Sequence, residues 1–225
     1  GGTGPIVVHA EALKRSAQDY SAGKNWEEGR KVIGSNNETW YGSVGASWVH
    51  DKGYIGFAYS NLRSTYGLPG HAPDYEGCHP HGNHLHCGSH DDHGHDHDDH
   101  SDHEEGHDHD HDHEHEHEVP TVDMRSKRWD LRGEWRQPVQ GIARIKFRSG
   151  ITNYKHDEIE EGAIGTSFTN KAYDGRLEVE HEAFGPVRGL VGLQLTQRKF
   201  AAVGEEDYIQ PSKTNNTAIF ALEEY

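Results

Sequence analysis

No stretch of about 18 apolar residues occurs anywhere in the 225-residue chain, which excludes a membrane-spanning helix. It does not exclude a membrane barrel, whose strands alternate and never form an apolar block. Hydrophobic residues are scarce overall, 32% of the total, which at first sight is too little for a large core. Cysteine is limited to two residues, Cys78 and Cys87. Lys and Arg are missing altogether between Arg63 and Arg125, a segment in which Asp74 to Glu118 hold 16 acidic residues. Those 16 account for the whole formal net charge of −16, and the remaining 22 acids match 22 Lys and Arg, so the average hides two compositions. The amino terminus, GGTGPIVVHA, has neither an initiating Met nor a basic-then-apolar signal pattern. The other end, AIFALEEY, stops inside a strand-like pattern, so an excised piece of a longer protein is expected.

Outside the acidic segment, apolar residues recur with period two over stretches of about ten residues, the spacing of half-exposed β-strands. Eight such stretches are present. The first runs from about Pro5 to Arg15, with Ile6, Val8, Ala10 and Ala12 on one face. The second, Thr39 to Val49, sets Trp40, Val44, Ala46 and Trp48 against Thr39, Tyr41, Ser43 and Ser47. The third, Gly53 to Ser64, shows Ile55, Phe57 and Tyr59 against Gly56, Ala58 and Ser60. In the fourth, Trp129, Leu131, Gly133 and Trp135 interleave with Arg128, Asp130, Arg132, Glu134 and Arg136. The fifth alternates Ala143, Ile145 and Phe147 with Arg144, Lys146 and Arg148, and the sixth Tyr173, Leu177 and Val179 with Asp174, Arg176, Glu178, Glu180 and Glu182. The seventh (Gly189 to Phe200) and eighth (from about Asn215) alternate more weakly.

Short turns (His50–Gly53, Gln137–Gly141, Phe184–Arg188) follow stretches two, four and six, and long polar segments are expected after one, three, five and seven. Tight turns on one side and long loops on the other are the up-and-down pattern of outer-membrane barrels. A soluble barrel or sandwich also alternates. Trp40 to Trp48 spans roughly 27 Å of strand, about 20 Å once tilted by 40°, close to the separation of the aromatic girdles of a membrane barrel. The expected fold is therefore all-β, an antiparallel transmembrane β-barrel, with residues 1–66 giving three strands, 67–121 an extracellular His/Asp-rich loop and 122–225 five more strands. Charged residues this dense on the inner face imply a barrel wider than eight strands, with water or a plug inside.

Of the 21 histidines, 17 lie between His71 and His117: His71, His79, His81, His84, His86, His90, His93, His95, His97, His100, His103, His107, His109, His111, His113, His115 and His117. Many alternate with acids, as in HDHDHDHEHEHE from His107 to Glu118. Imidazole suits zinc, copper and nickel, and interleaved carboxylates add oxygen ligands and a potential that attracts cations. A tract of this kind binds in many equivalent registers, which implies capture of several ions. A solvated disordered run is the bland alternative for a charged segment. No solvation requirement selects histidine so heavily, however, and a purification tag would be terminal and uninterrupted.

The proximal part, GLPGHAPDYEGCHPHGNHLHCG, is less repetitive. Two assignments are open for its cysteines. A Cys78–Cys87 disulfide, worth about 3 kcal/mol in the chain-entropy model, suits an oxidising compartment. A zinc site could instead use both thiolates and two of His79, His81, His84 and His86. His71, Asp74 and Glu76 form a further candidate metal set where the third strand ends. Isolated His9, His50, His156 and His181 read as ordinary surface or interfacial residues. No nucleophile elbow, phosphate loop or paired catalytic carboxylates stand out, so no enzyme activity is expected.

VVHAEALKR, YSNLRSTYGLPGHAPDYEGC, the His/Asp loop and MRSKRWDLRGEWRQP together resemble TonB-dependent outer-membrane zinc receptors of the ZnuD type. YGLPGH (Tyr66–His71) and KRWDLRGEW (Lys127–Trp135) are the most specific parts. The resemblance implies a 22-stranded barrel with an amino-terminal plug, importing zinc across a Gram-negative outer membrane with energy supplied through TonB. In that family the sequence after YGLP commonly reads His-x-His-Glu before a cysteine. This chain has His71-Ala72-Pro73-Asp74, so the metal-handling role maps onto His71 and Asp74. The expected partners are zinc, a TonB complex acting through a plug outside this chain, and lipid, with no nucleic acid. The alternative is a surface metal-storage or adhesion barrel without transport. Ligand type alone does not separate zinc from copper, nickel or cadmium.

Overall fold

The computed structural model describes residues 4–23, 31–69, 79–81, 84–86, 119–205 and 209–225. Eight strands form one antiparallel sheet: β1 (Ile6–Ala17), β2 (Asn37–His50), β3 (Gly53–Gly67), β6 (Thr121–Arg136), β7 (Ile142–Glu160), β8 (Ala163–His181), β9 (Arg188–Gly204) and β10 (Ser212–Glu224). Each pairs with its neighbour in chain order, so the topology is up-and-down, and the sheet is open with β1 and β10 at its edges. β4 (His79–His81) and β5 (His84–His86) form a separate two-stranded ribbon between β3 and β6 in the sequence.

Strict pairing parity gives the sheet two unlike faces. On one, Ile55, Gly133, Phe147, Leu177, Leu193 and Ile219 occupy a single register row across six strands. Gly133 makes room in that row, because a Cβ there would collide with the Phe147 ring. Most of this apolar face is uncovered: Trp48, Phe57, Trp135, Ile151 and Val191 are each about half exposed. Among the described residues the buried hydrophobics are only Val32, Val122, Phe168 and Ala202, so no second layer packs on the sheet.

The other face carries a lateral lattice of ions. Arg128 bonds Asp130 on its own strand (2.9 Å), Asp174 two strands away (3.3 Å) and the Thr152 hydroxyl between them (3.0 Å). Arg144 pairs with Glu180 across β7 and β8, Arg136 with Glu134 (2.7 Å) and Arg176 with Glu178 (2.6 Å). Arg176 also donates to Gln194 (3.1 Å) and lies over the Phe220 ring (4.2 Å). Many of the charges that crowd this face in the sequence thus pair along and across the strands.

The strands outrun the apolar run at one end. Above Tyr59, Trp129, Ile151 and Tyr173, which share one register row, the same face continues as Asn61, Lys127, Asn153 and Lys171. This extension corrects one expectation. The segment after the fifth stretch is not a long loop; β7 and β8 run on and are joined by Glu161-Gly162 alone. Both turn residues have positive φ (49° and 75°), the geometry that matches strand twist in a two-residue hairpin. Residues 149–172 lose their apolar alternation, so the sequence signal fades, yet backbone pairing continues from Gly150↔Asp174 to Glu160↔Ala163.

The upper limit of the apolar run also drifts across the sheet. Taking the register row of Trp40 as reference, the limit lies four residues below that row at Tyr59, Trp129, Ile151 and Tyr173. It lies six below at Leu195 and eight below at Ile219. The shift is concentrated between β2 and β3 and after β8, with none across the three steps from β3 to β8.

Candidate metal-binding loop and its stem

The histidine-rich segment leaves the sheet between neighbouring strands β3 and β6, at the end that also carries the Glu161-Gly162 hairpin and opposite the turns 51–52, 137–141 and 182–187. Its stem is a continuation of their ladder: Gly67 pairs with Thr121, and the Leu68 N–H donates to the Pro120 carbonyl (2.8 Å). Sequence reasoning missed what braces this stem, the connection from β1 to β2. The Gly67 N–H donates to the Asn36 carbonyl (3.3 Å), and the Val32 N–H donates to the Tyr20 carbonyl (3.1 Å). The Ser35 hydroxyl donates to the Val32 carbonyl (2.7 Å) and accepts from the Tyr20 N–H (3.0 Å). Val32, Ser64 and Val122 are buried.

Two glycines permit this approach. Gly34 has φ +77°, and Val119 lies where its side chain would be; a Cβ on Gly67 would meet the Gly34 backbone. Gly67→Val therefore forces the brace off the stem. The expected result is a loss of about 1–3 kcal/mol, as for overpacking elsewhere, read as a lower thermal midpoint and faster proteolysis within 68–120. Gly23→Val, placed where no atom lies within 4 Å, should change neither.

Four of the proposed ligands fall in β4 and β5, with register His79↔His86, Pro80↔Leu85 and His81↔His84. His71, Asp74, Glu76, both cysteines and every histidine from His90 to His117 lie outside the described residues. The disulfide and thiolate assignments for Cys78 and Cys87 lie outside them as well.

The four isolated histidines divide. His9 is exposed, 3.9 Å from Glu11; His50 stacks at 4.9 Å on Trp48 and accepts from the Lys52 N–H (3.2 Å); and His181 meets Glu223 at 2.9 Å. His156 differs. It lies on the ionic face beyond the apolar run, stacked on Phe168 (4.4 Å, 14°) and edge-on to Tyr154 (5.5 Å). Burial there holds its pKa below the ordinary imidazole value, against a smaller opposing pull from Asp157. Nothing in the sequence marked it, because its stacking partner, Phe168, comes from register across strands. No family model matches the chain.

Proposed function

We propose that the eight strands are part of an outer-membrane β-barrel whose histidine-rich loop captures zinc at the cell exterior for TonB-dependent import, as the resemblance to ZnuD-type receptors suggests. The uncovered apolar face carries the lipid half of this reading. A soluble sandwich would bury its apolar face under a second sheet, whereas this face is uncovered and edged by Trp and Tyr. The metal half rests on composition: 17 histidines interleaved with carboxylates in one segment, anchored on a braced stem where β3 and β6 run past the apolar face.

The ionic face then lines the interior, and the open edges at β1 and β10 are where further strands would join. Capture does not require transport, so storage or adhesion is the competing use of the same loop. Equilibrium dialysis of the chain in detergent, with and without residues 70–118, tests capture. The intact chain should retain several zinc ions at neutral pH, and the deleted chain almost none. Impermeant labelling of a cysteine introduced at His100 in whole cells tests sidedness. Absence of zinc retention, or a label that reacts only after lysis, would overturn the proposal.

A further inference from the structure

On the ionic face one register row runs through Gly56, Arg132, Arg148, Arg176 and Gln194, from β3 to β9. Three arginines thus stand directly opposite one another on successive strands, with Cβ atoms about 5 Å apart, a placement that destabilises a sheet when the charges are alike. The acids that could relieve it are engaged elsewhere. Asp130 is held by Arg128 (2.9 Å) and reaches Arg132 only at 4.0 Å, while Glu134 is held by Arg136 (2.7 Å) and Glu178 by Arg176 (2.6 Å). Arg176 is fixed further by Gln194 (3.1 Å) and by the Phe220 ring. Among the described residues, Arg148 and its strand neighbour Lys146 form no salt bridge, and Arg132 has only the long contact to Asp130. These three cations meet at a cavity of about 250 Å³, which Tyr54 and Arg176 also line.

We propose that Arg132, Lys146 and Arg148 form a binding site for a small oxyanion carrying two or more negative charges, a polycarboxylate or a phosphate. A guanidinium presents a planar fork of donors that matches both groups, and an ammonium adds a point charge. Forks rooted about 5 Å apart on neighbouring strands can close on one oxyanion between them. The cavity is smaller than the roughly 300–1,000 Å³ of sites for drug-sized ligands, so its occupant is small. Glu134 and Glu178 also line it, but each already has its own arginine, so the three cations remain in excess. Behind the site, the same strands present the uncovered apolar face, and walls of low polarity focus the field of a charged cleft. The site stands on the geometry of the wall, so it holds or fails independently of metal capture by the loop.

The test is calorimetric titration of the full chain in detergent and metal-free buffer, with citrate and with inorganic phosphate at constant ionic strength. One equivalent per chain should bind. Binding of citrate alone marks a polycarboxylate site, binding of phosphate alone a phosphate site, and binding of both a site for either group. Arg148→Gln should weaken binding about 10-fold or more, as expected for loss of hydrogen bonds to a charged group. Arg188→Gln, which removes a cation already paired with Glu224 on the same face (3.0 Å), should leave it unchanged. Thermal unfolding separates binding from folding. Without anion, Arg148→Gln should unfold at the wild-type midpoint or above it, because a repelling charge is gone, and it should lose the rise that the anion gives the wild type. No saturable binding of either anion, equal weakening by Arg188→Gln, or a lowered anion-free midpoint for Arg148→Gln would overturn the site.

Discussion

Replacing Leu177 by arginine destabilises the sheet in phospholipid bilayers by about 2–4 kcal/mol, the cost of a cation near the midplane on the lipid face of a barrel. Leu177 stands between Phe147 and Leu193 in the most continuous apolar row and is partly exposed. In a water-soluble protein, a long charged side chain at so open a position would stay solvated and cost within about 0.5 kcal/mol. The two environments therefore differ several-fold in expected effect. The same substitution at Val203, which is exposed on that face but beyond the apolar run, should cost much less. Reversible unfolding in urea from lipid vesicles reads both. Equal and small losses at the two positions would remove lipid as the solvent of this face.

The proposed zinc capture by the loop should collapse between pH 7.5 and pH 5. Metal binds neutral imidazole, so protons compete with it, and affinity present above the imidazole pKa is lost as pH falls through it. With an ordinary value near 6.5, about 3% of each imidazole remains neutral at pH 5, so a site using two of them weakens roughly 1,000-fold. Carboxylates beside each histidine from His93 to His117 favour imidazolium and move the loss to higher pH. Calorimetric titration at the two pH values measures the change. Equal stoichiometry and affinity at both would mean that carboxylates alone hold the ion.

Legibility in the sequence followed the apolar alternation. Wherever one face is apolar and the other charged, as from Trp129 to Arg136, strand and face could be read directly, and β6 runs through that stretch. Where both faces turn polar, as from Thr152 to Glu160, period two loses its contrast and a strand looks like a loop. The partners that keep it extended are on β6 and β8, far away in the sequence. Loop histidines were conspicuous by number, but the backbone register that sets His79 opposite His86 and His81 opposite His84 is a cross-strand pairing no single-strand pattern reveals. The brace from Tyr20 to Asn36 depends on two glycines and a few backbone bonds, which carry almost no compositional signature.

The polar upper reach of β3 and β6 has an electrostatic consequence for metal supply. From Tyr59 to Gly67 the strand climbs about 26 Å, near 20 Å of height at a 40° tilt, which is more than two Debye lengths at physiological salt. Anionic headgroups enrich cations only within roughly one such length. In the proposed barrel, the root of the histidine segment would thus stand in solution whose ion content the lipid does not set, and would sample the free metal of the medium.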